Sequence, residues 1–291
     1  MAEIPFVREI KFEYGVTQQV APGLRRVIAP NQGPFTYTGS GTYIIGEGEV
    51  AVLDPGPEDA AHRDAILAAL GHERIAQILV THTHRDHSPG AAALKARSGA
   101  PTYGFGPHQT PPDAELRGGD HDFVPDRRLG DGAPLEGTGW RLTALHTPGH
   151  CANHLCIALE GSGVLFSGDH VMSWSTSVVS PPDGDMAAYM SSLARLTARE
   201  DRLFLPGHGA PLPDPAPFTR ALLTHRQGRE AALREALRQH GPASVEALVL
   251  RLYSPIDPRL LPAAGRSLLA HLLKLEAEGA ARQVPEGWAA A

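Results

Sequence analysis

The run Thr81-His82-Thr83-His84-Arg85-Asp86-His87 constrains this chain more than any other stretch. Three imidazoles and a carboxylate fall between residues 82 and 87. The preceding apolar residues, 75–80, read as a buried strand. Ser88-Pro89 follows and reads as a helix start, with Ser88 as N-cap and Pro89 at the first helical position. The polar groups therefore fall on a strand-to-helix loop at the carboxyl end of a strand, where open α/β sheets place their ligands. Neutral imidazole suits Zn, Fe, Ni and Cu, and a carboxylate adds affinity for harder ions. A merely solvated polar loop would not explain why further ligand types recur at other strand ends.

Those strand ends appear when the chain is taken in order. Residues 42–45 and 50–54 flank a Gly46-Glu47-Gly48 turn and predict a β-hairpin, closed by Asp54-Pro55-Gly56. Residues 57–70 predict a helix with Ile66, Leu67 and Leu70 on one side. Residues 89–97 predict a short Ala-rich helix, 101–104 a strand, and 107–131 a long Pro-, Gly- and Asp-rich surface excursion. Residues 140–145 run toward His150, and a second hairpin (154–159 with 164–167) runs toward Asp169-His170. A helix over 185–197 precedes a strand at 202–205 that leads into Pro206-Gly207-His208-Gly209. The four polar sites at 82–87, 150, 169 and 208 are expected to converge.

After Asp214-Pro215-Ala216-Pro217, read as a hinge, the pattern becomes helical. Helices are predicted over 218–239, 244–253 (Ser244 as N-cap) and 262–278, with a β wing over 280–288. That is the pattern of a winged helix, so the domains are expected at 1–213 and 214–291. Charge changes with it. The whole chain is −6, whereas ten Lys/Arg against eight Asp/Glu from Asp214 onward give +2 and leave −8 for the rest. The negative total argues against a protein that coats nucleic acid. Apolar content of 42% is ordinary for a globular chain, and two cysteines make no disulfide framework. With neither a signal peptide nor a membrane-length apolar run in the sequence, a cytoplasmic location is expected.

His-x-His-x-Asp-His at 82–87, Thr-Pro-Gly-His150, Ser-Gly-Asp169-His and Pro-Gly-His208-Gly together resemble the metallo-β-lactamase superfamily. The resemblance implies a mixed α/β fold, an αββα sandwich with a two-metal site between the sheet edges. It puts His82, His84 and His150 on one ion and Asp86, His87 and His208 on the other, with Asp169 bridging. Ser40-Gly41-Thr42-Tyr43, Leu53-Asp54-Pro55-Gly56-Pro57, residues 180–186 and the helical appendage resemble the lactamase-beta-like-protein-2 subgroup more closely. The animal member of that subgroup is an endoribonuclease acting on single-stranded RNA. True β-lactamases of the superfamily carry Cys or Ser where this chain has Asp169, which argues against antibiotic cleavage.

Two cations roughly 3.5–4 Å apart lower the pKa of a shared water to about 7 and polarise the scissile group. The expected enzyme is thus a metal-dependent hydrolase using a metal-bridging hydroxide, held and oriented by Asp86. Two Zn²⁺ per chain are expected, with Mn²⁺ or Fe as alternatives. The substrate is expected to be RNA, cleaved at phosphodiesters. The alternative is a small molecule, cleaved by a glyoxalase-II-like thioesterase or lactonase. A nucleic-acid-binding protein with a structural metal and a mononuclear iron dioxygenase are the rivals from other classes. Homo-oligomerisation is left open, and no membrane partner is expected. Asp54 is a candidate to orient a ligand histidine or only to shape a turn. His154 and His170 are candidates to contact substrate or to line the pocket. Cys151 reads as packing, Trp174 and Tyr189 as pocket wall or stacking surface. His108, His121, His225, His240 and His271 read as surface or helix residues.

Overall fold

The computed structural model describes residues 4–112, 118–253 and 257–291. Seven strands form the first sheet in chain order: β1 (Gln18–Ala21), β2 (Leu24–Ile28), β3 (Gly41–Ile45), β4 (Glu49–Leu53), β5 (Arg74–Leu79), β6 (Thr102–Gly104) and β7 (Arg127–Arg128). β1 to β4 pair antiparallel through short turns. From β4 to β7 the pairing is parallel. Parallel neighbours need crossovers, and α1 (Ala60–Leu70) and α2 (Gly90–Ser98) supply the first two.

The second sheet holds β8 (Pro134–Gly137), β9 (Trp140–His146), β10 (Leu155–Leu159), β11 (Val164–Gly168), β12 (Leu203–Pro206) and β13 (Leu212–Pro213), in the order β13-β12-β11-β10-β9-β8. Its one parallel pair, β11 with β12, is joined through α3 (Met186–Thr197). The expected hairpins at β3–β4 and β10–β11 are present.

Alternation along the strands makes the layers. On β10, Leu155 and Ile157 face the other sheet, whereas Cys156 and Ala158 face α3. Between the sheets, Ile45, Leu53 and Leu79 meet Leu142, Ile157 and Phe166. Ile66, Leu70 and Leu94 of α1 and α2 cover the outer face of the first sheet. Tyr189, Leu193 and Leu196 of α3 cover the second. The result is the expected αββα sandwich.

Beyond it lie α4 (Pro215–His240), α5 (Val245–Leu252), α6 (Leu261–Ala277) and the hairpin of β14 (Ala281–Val284) with β15 (Gly287–Ala290). Helices, then a wing, form the expected winged-helix pattern, and Ser244 caps α5 through the Ala247 amide. Leu233 and Leu237 of α4 pack with Leu248, Leu268 and Trp288. The other end of the same helix, through Phe218 and Leu222, belongs to the sandwich core. Among the described residues, no helix is long and apolar enough to cross a membrane.

Three local expectations are corrected. Residues 214–217 do not form a hinge. Pro215 opens α4, where a missing N–H costs nothing, and it is buried. Ser88 does not cap α2. Its hydroxyl donates to the Asp120 carboxylate at 2.6 Å instead, and the position before the helix is Pro89. The excursion at 107–131 is not all surface. Asp120 and Phe123 are buried, and residues 127–128 join the first sheet. Part of it, 113–117, lies outside the described residues.

Candidate metal centre

The loops after β5, β9, β11 and β12 open at one edge of the sandwich, and their polar side chains meet there. His82 Nε2 and His150 Nε2 each stand 3.0 Å from His84 Nδ1. His87 Nε2 and His208 Nε2 are 3.3 Å apart. Asp86 Oδ2 lies 3.1 Å from His208 Nε2 and 3.4 Å from His87 Nε2. Asp169 stands between the groups, with Oδ1 3.5 Å from His87, and Oδ2 3.3 Å from His208 and 3.8 Å from His150.

Two tests ask whether these residues fit metal ions. The first is spacing. Two nitrogens bound to one ion at about 2.0–2.1 Å are separated by about 3 Å in octahedral or tetrahedral geometry. The observed 3.0 and 3.3 Å separations meet that requirement.

The second is the tautomer of each ring. His150 Nδ1 faces the Val178 carbonyl at 2.7 Å, and His208 Nδ1 faces the Gly39 carbonyl at 3.2 Å. A carbonyl only accepts, so both Nδ1 atoms carry the proton. His87 Nδ1 faces the Asp54 carboxylate at 3.0 Å, with the same consequence. His82 Nδ1 contacts Thr81 Oγ1 at 3.0 Å, and that hydroxyl already donates to Asp54 Oδ2 at 2.7 Å, so His82 is the donor. In the neutral rings, four Nε2 lone pairs are thereby aimed into one space. Asp169 Oδ1 is buried there with no hydrogen bond at all. With its rings neutral, such a donor set fits metal ions.

Electrostatics divides the cluster. Burial, with the neighbouring rings, pushes His82 well below its ordinary value and His84 down to about 3. Burial also opposes charge on His87 and His208, yet the carboxylates of Asp86 and Asp169 outweigh it. His87 is raised well above the ordinary range and His208 to about 10. Burial pushes Asp86 and Asp169 upward, but those two rings hold both well below the usual carboxylate range. The half of the site with two carboxylates calls for positive charge, whereas His82 and His84 stay neutral.

Backbone economy around the motifs explains their glycines. A Cβ on Gly207 would stand 2.6 Å from Asp169 Oδ1 and 2.7 Å from His87 Cε1. Gly149, at φ +138°, lies against the Tyr189 backbone, where a Cβ would come within 2.2 Å. Only Gly fits at 149 against the Tyr189 backbone and at 207 against Asp169 and His87.

Asp54 proves to be more than a turn residue. It accepts from the Thr81 amide and hydroxyl at 2.7 Å each while facing His87, at an αL-like φ of +50°. His154 is fully buried and serves Asp169: its Nε2 accepts the Asp169 amide at 3.1 Å, while Nδ1 contacts Thr147 Oγ1 at 2.9 Å. His170 is also fully buried, against the Tyr189 ring, and does not line the cavity. Tyr189 belongs to the core, whereas Trp174 lines the cavity, stacked on Tyr37 at 4.7 Å. Cys151 packs under the centre, its sulfur within 4.8 Å of ligand atoms of His82 and His84. His225 and His271 lie on helices α4 and α6, as read, the first lining the cavity and the second buried, while His108 is half-buried and contacts Thr83 Oγ1 at 2.8 Å. Thr81 and Asp120 were missed in the sequence. Threonine beside a histidine gives a weak signal, and a lone Asp in a polar loop gives none.

The Metallo-beta-lactamase superfamily profile matches residues 37–208, and the Beta-lactamase associated winged helix domain matches 244–288. The chain belongs to the metallo-β-lactamase superfamily, whose members are hydrolases. It is 30% identical to the Beta-lactamase-like protein 2 homolog of Drosophila melanogaster, over 88% of this chain and 89% of that one. It is 32% identical to the atrochrysone carboxyl ACP thioesterase AgnL7 of Paecilomyces divaricatus over 68% of this chain, spanning only 59% of that protein. The crystal structure of a metallo-beta-lactamase family protein from Thermus thermophilus superposes with a TM-score of 0.76 at 26% identity, covering 94% of this chain and all of the other.

Proposed function

We propose that this chain is a dinuclear metal-dependent hydrolase of bulky apolar acyl esters or thioesters. The seats are His82, His84 and His150 on one side, Asp86, His87 and His208 on the other, and Asp169 shared. Zn²⁺ suits the five imidazoles, with Mn²⁺ or Fe as alternatives for the carboxylate-rich seat. The observation that carries the reading is the wall above the cluster. A cavity of about 1290 Å³ opens over His84, Asp86, His150 and Asp169, and Phe6, Phe35, Tyr37, Met172 and Trp174 line it. An apolar, aromatic wall beside a polar floor suits an acyl chain or aromatic acyl group.

When bound, the ions activate a water and polarise the substrate carbonyl. Asp86 then holds that water: its carboxylate, 26% exposed, is the more open of the two at the cavity floor. Asp54 and Thr81 keep His87 and His82 in the tautomers that leave Nε2 free. The relative named as an ACP thioesterase supports the same class of bond.

A second reading, cleavage of single-stranded RNA, draws on the Tyr37–Trp174 stack, whose rings are inclined by only 11° and could extend onto a base. A panel of benzoyl and long-chain thioesters, esters and lactones, run beside a single-stranded RNA oligonucleotide, tests both. Turnover of the thioesters, lost in Asp169→Ala, supports the first. RNA cleavage without thioester turnover overturns it in favour of the second.

A further inference from the structure

The cavity has a second wall, which the ester chemistry does not use. Arg226 and Arg229 from α4 and Arg266 from α6 line it. Among the described residues, no carboxylate pairs with any of the three. Arg226 is 3% exposed, donates to the Ser177 carbonyl, and leaves its Nε buried with no partner. Arg229 uses only the Leu252 carbonyl, at 2.6 Å, and the His225 ring. Arg266 reaches only Ser180 Oγ, at 3.4 Å. Asp183 lines the same wall, but the contact it makes is to the Ala152 amide.

Among the described residues of the C-terminal region, Arg220, Arg251 and Arg282 also have no carboxylate partner, but those three are solvent-exposed, whereas the cavity arginines are buried or half-buried. Arg234 pairs with Glu278, Arg238 with Glu235, and Arg259 with Asp257. What marks the three cavity arginines is burial, whole or partial, without a carboxylate partner. An uncompensated guanidinium cut off from water, as that of Arg226 is, is costly, and an anion in the cavity would offset that cost. Stacking on Tyr189 and Tyr253 covers part of that cost for Arg226 and Arg229, but supplies no negative charge. Burial and these same two cations push His225 down to about 4, so the ring between them stays neutral and the arginines supply the wall's positive charge, beside the Asp183 carboxylate, whose Oδ2 is buried with no partner.

We infer that Arg226, Arg229 and Arg266 form a phosphate-binding subsite for the substrate. Planar forks with several free N–H donors suit tetrahedral phosphate oxygens. The inference rests on the ester-hydrolase reading and names its substrate class: an acyl ester or thioester that also carries a phosphate. The cavity is then polarised, with the phosphate held at the arginine wall and the scissile carbonyl directed to the carboxylate-lined floor. A phosphopantetheine thioester is the simplest molecule with both groups, whether its phosphate is free or attached to a larger carrier.

The test uses metal-loaded full-length protein and a matched pair, benzoyl-4′-phosphopantetheine and benzoyl-pantetheine, which differ only in the phosphate. The expected ratio of kcat/KM is roughly ten- to a hundredfold in favour of the phosphorylated ester, the worth of a charged hydrogen-bonding contact. In Arg229→Ala, Arg266→Ala and the double variant, the ratio falls toward one through KM of the phosphorylated ester. Lysine at either position restores part of it. Equal kcat/KM for the two esters in the wild type overturns the inference, as does a preference that survives the double variant. The wild-type comparison needs no variant and decides the matter if the variants fail to fold. Hydrolysis of neither ester, with cleavage of single-stranded RNA, instead overturns the ester-hydrolase reading on which the inference stands.

Discussion

Asp54 and His87, 33 positions apart, face each other through Oδ2 and Nδ1 at 3.0 Å, both buried. One carboxylate thus fixes the end of β4, the start of the loop that carries His82 to His87, and the tautomer of His87. Asp54→Asn keeps the size of the side chain but can present an N–H to His87. We expect a roughly 10- to 100-fold weaker metal affinity, read by titrating loaded protein with a competing chelator. Unchanged affinity would show that Asp54 serves the turn alone.

Gly207 makes a steric prediction. The Cβ of Gly207→Ala would stand 2.6 Å from Asp169 Oδ1, so the shared carboxylate must move. We expect a destabilisation of about 1–3 kcal/mol and hydrolysis reduced by about 100-fold or more, because small displacements of reacting groups are costly. Thermal melting and kcat together check this. Wild-type kcat would mean that the carboxylate tolerates displacement.

His62 makes a pH prediction. Its Nε2 contacts Thr42 Oγ1 at 2.7 Å, and that hydroxyl donates to the Asp54 carbonyl, so Nε2 carries the proton. Nδ1 is buried without a partner. Burial, against a smaller opposite pull from Asp59, pushes the ring down to about 4. The unfolded chain therefore binds more protons than the native one between pH about 6.5 and 4. Stability from this group is complete above pH about 6.5 and is lost as pH falls toward 4, by up to about 2 kcal/mol at pH 4.5. Urea unfolding of metal-free protein at pH 7 and 4.5 measures the loss. His62→Gln should show a smaller drop than wild type. An equal drop in both proteins would place the acid sensitivity elsewhere.

The ligand types were legible because few residues bind metals and because each fell at a strand end, as His150 after β9 and Asp169 after β11 do. The hairpins and the wing were legible from alternation and glycine turns. What escaped was long-range. Ser88 looks like an N-cap until Asp120, 32 positions away, takes its hydroxyl. Pro215 and Pro217 look like a hinge because sequence pattern does not reveal that Phe218 and Leu222 extend the sandwich core into the same helix. Arg226 looks like an ordinary helix-surface cation, and only its bond to Ser177, 49 positions back, takes it inside.

The central claim is that seven side chains hold two ions around Asp169, and metal stoichiometry tests it most directly. Protein loaded with Zn²⁺ and freed of excess, then analysed by inductively coupled plasma mass spectrometry, should hold two ions per chain, and Asp169→Ala at most one. One ion or fewer in the wild type, or two in the variant, would contradict the account.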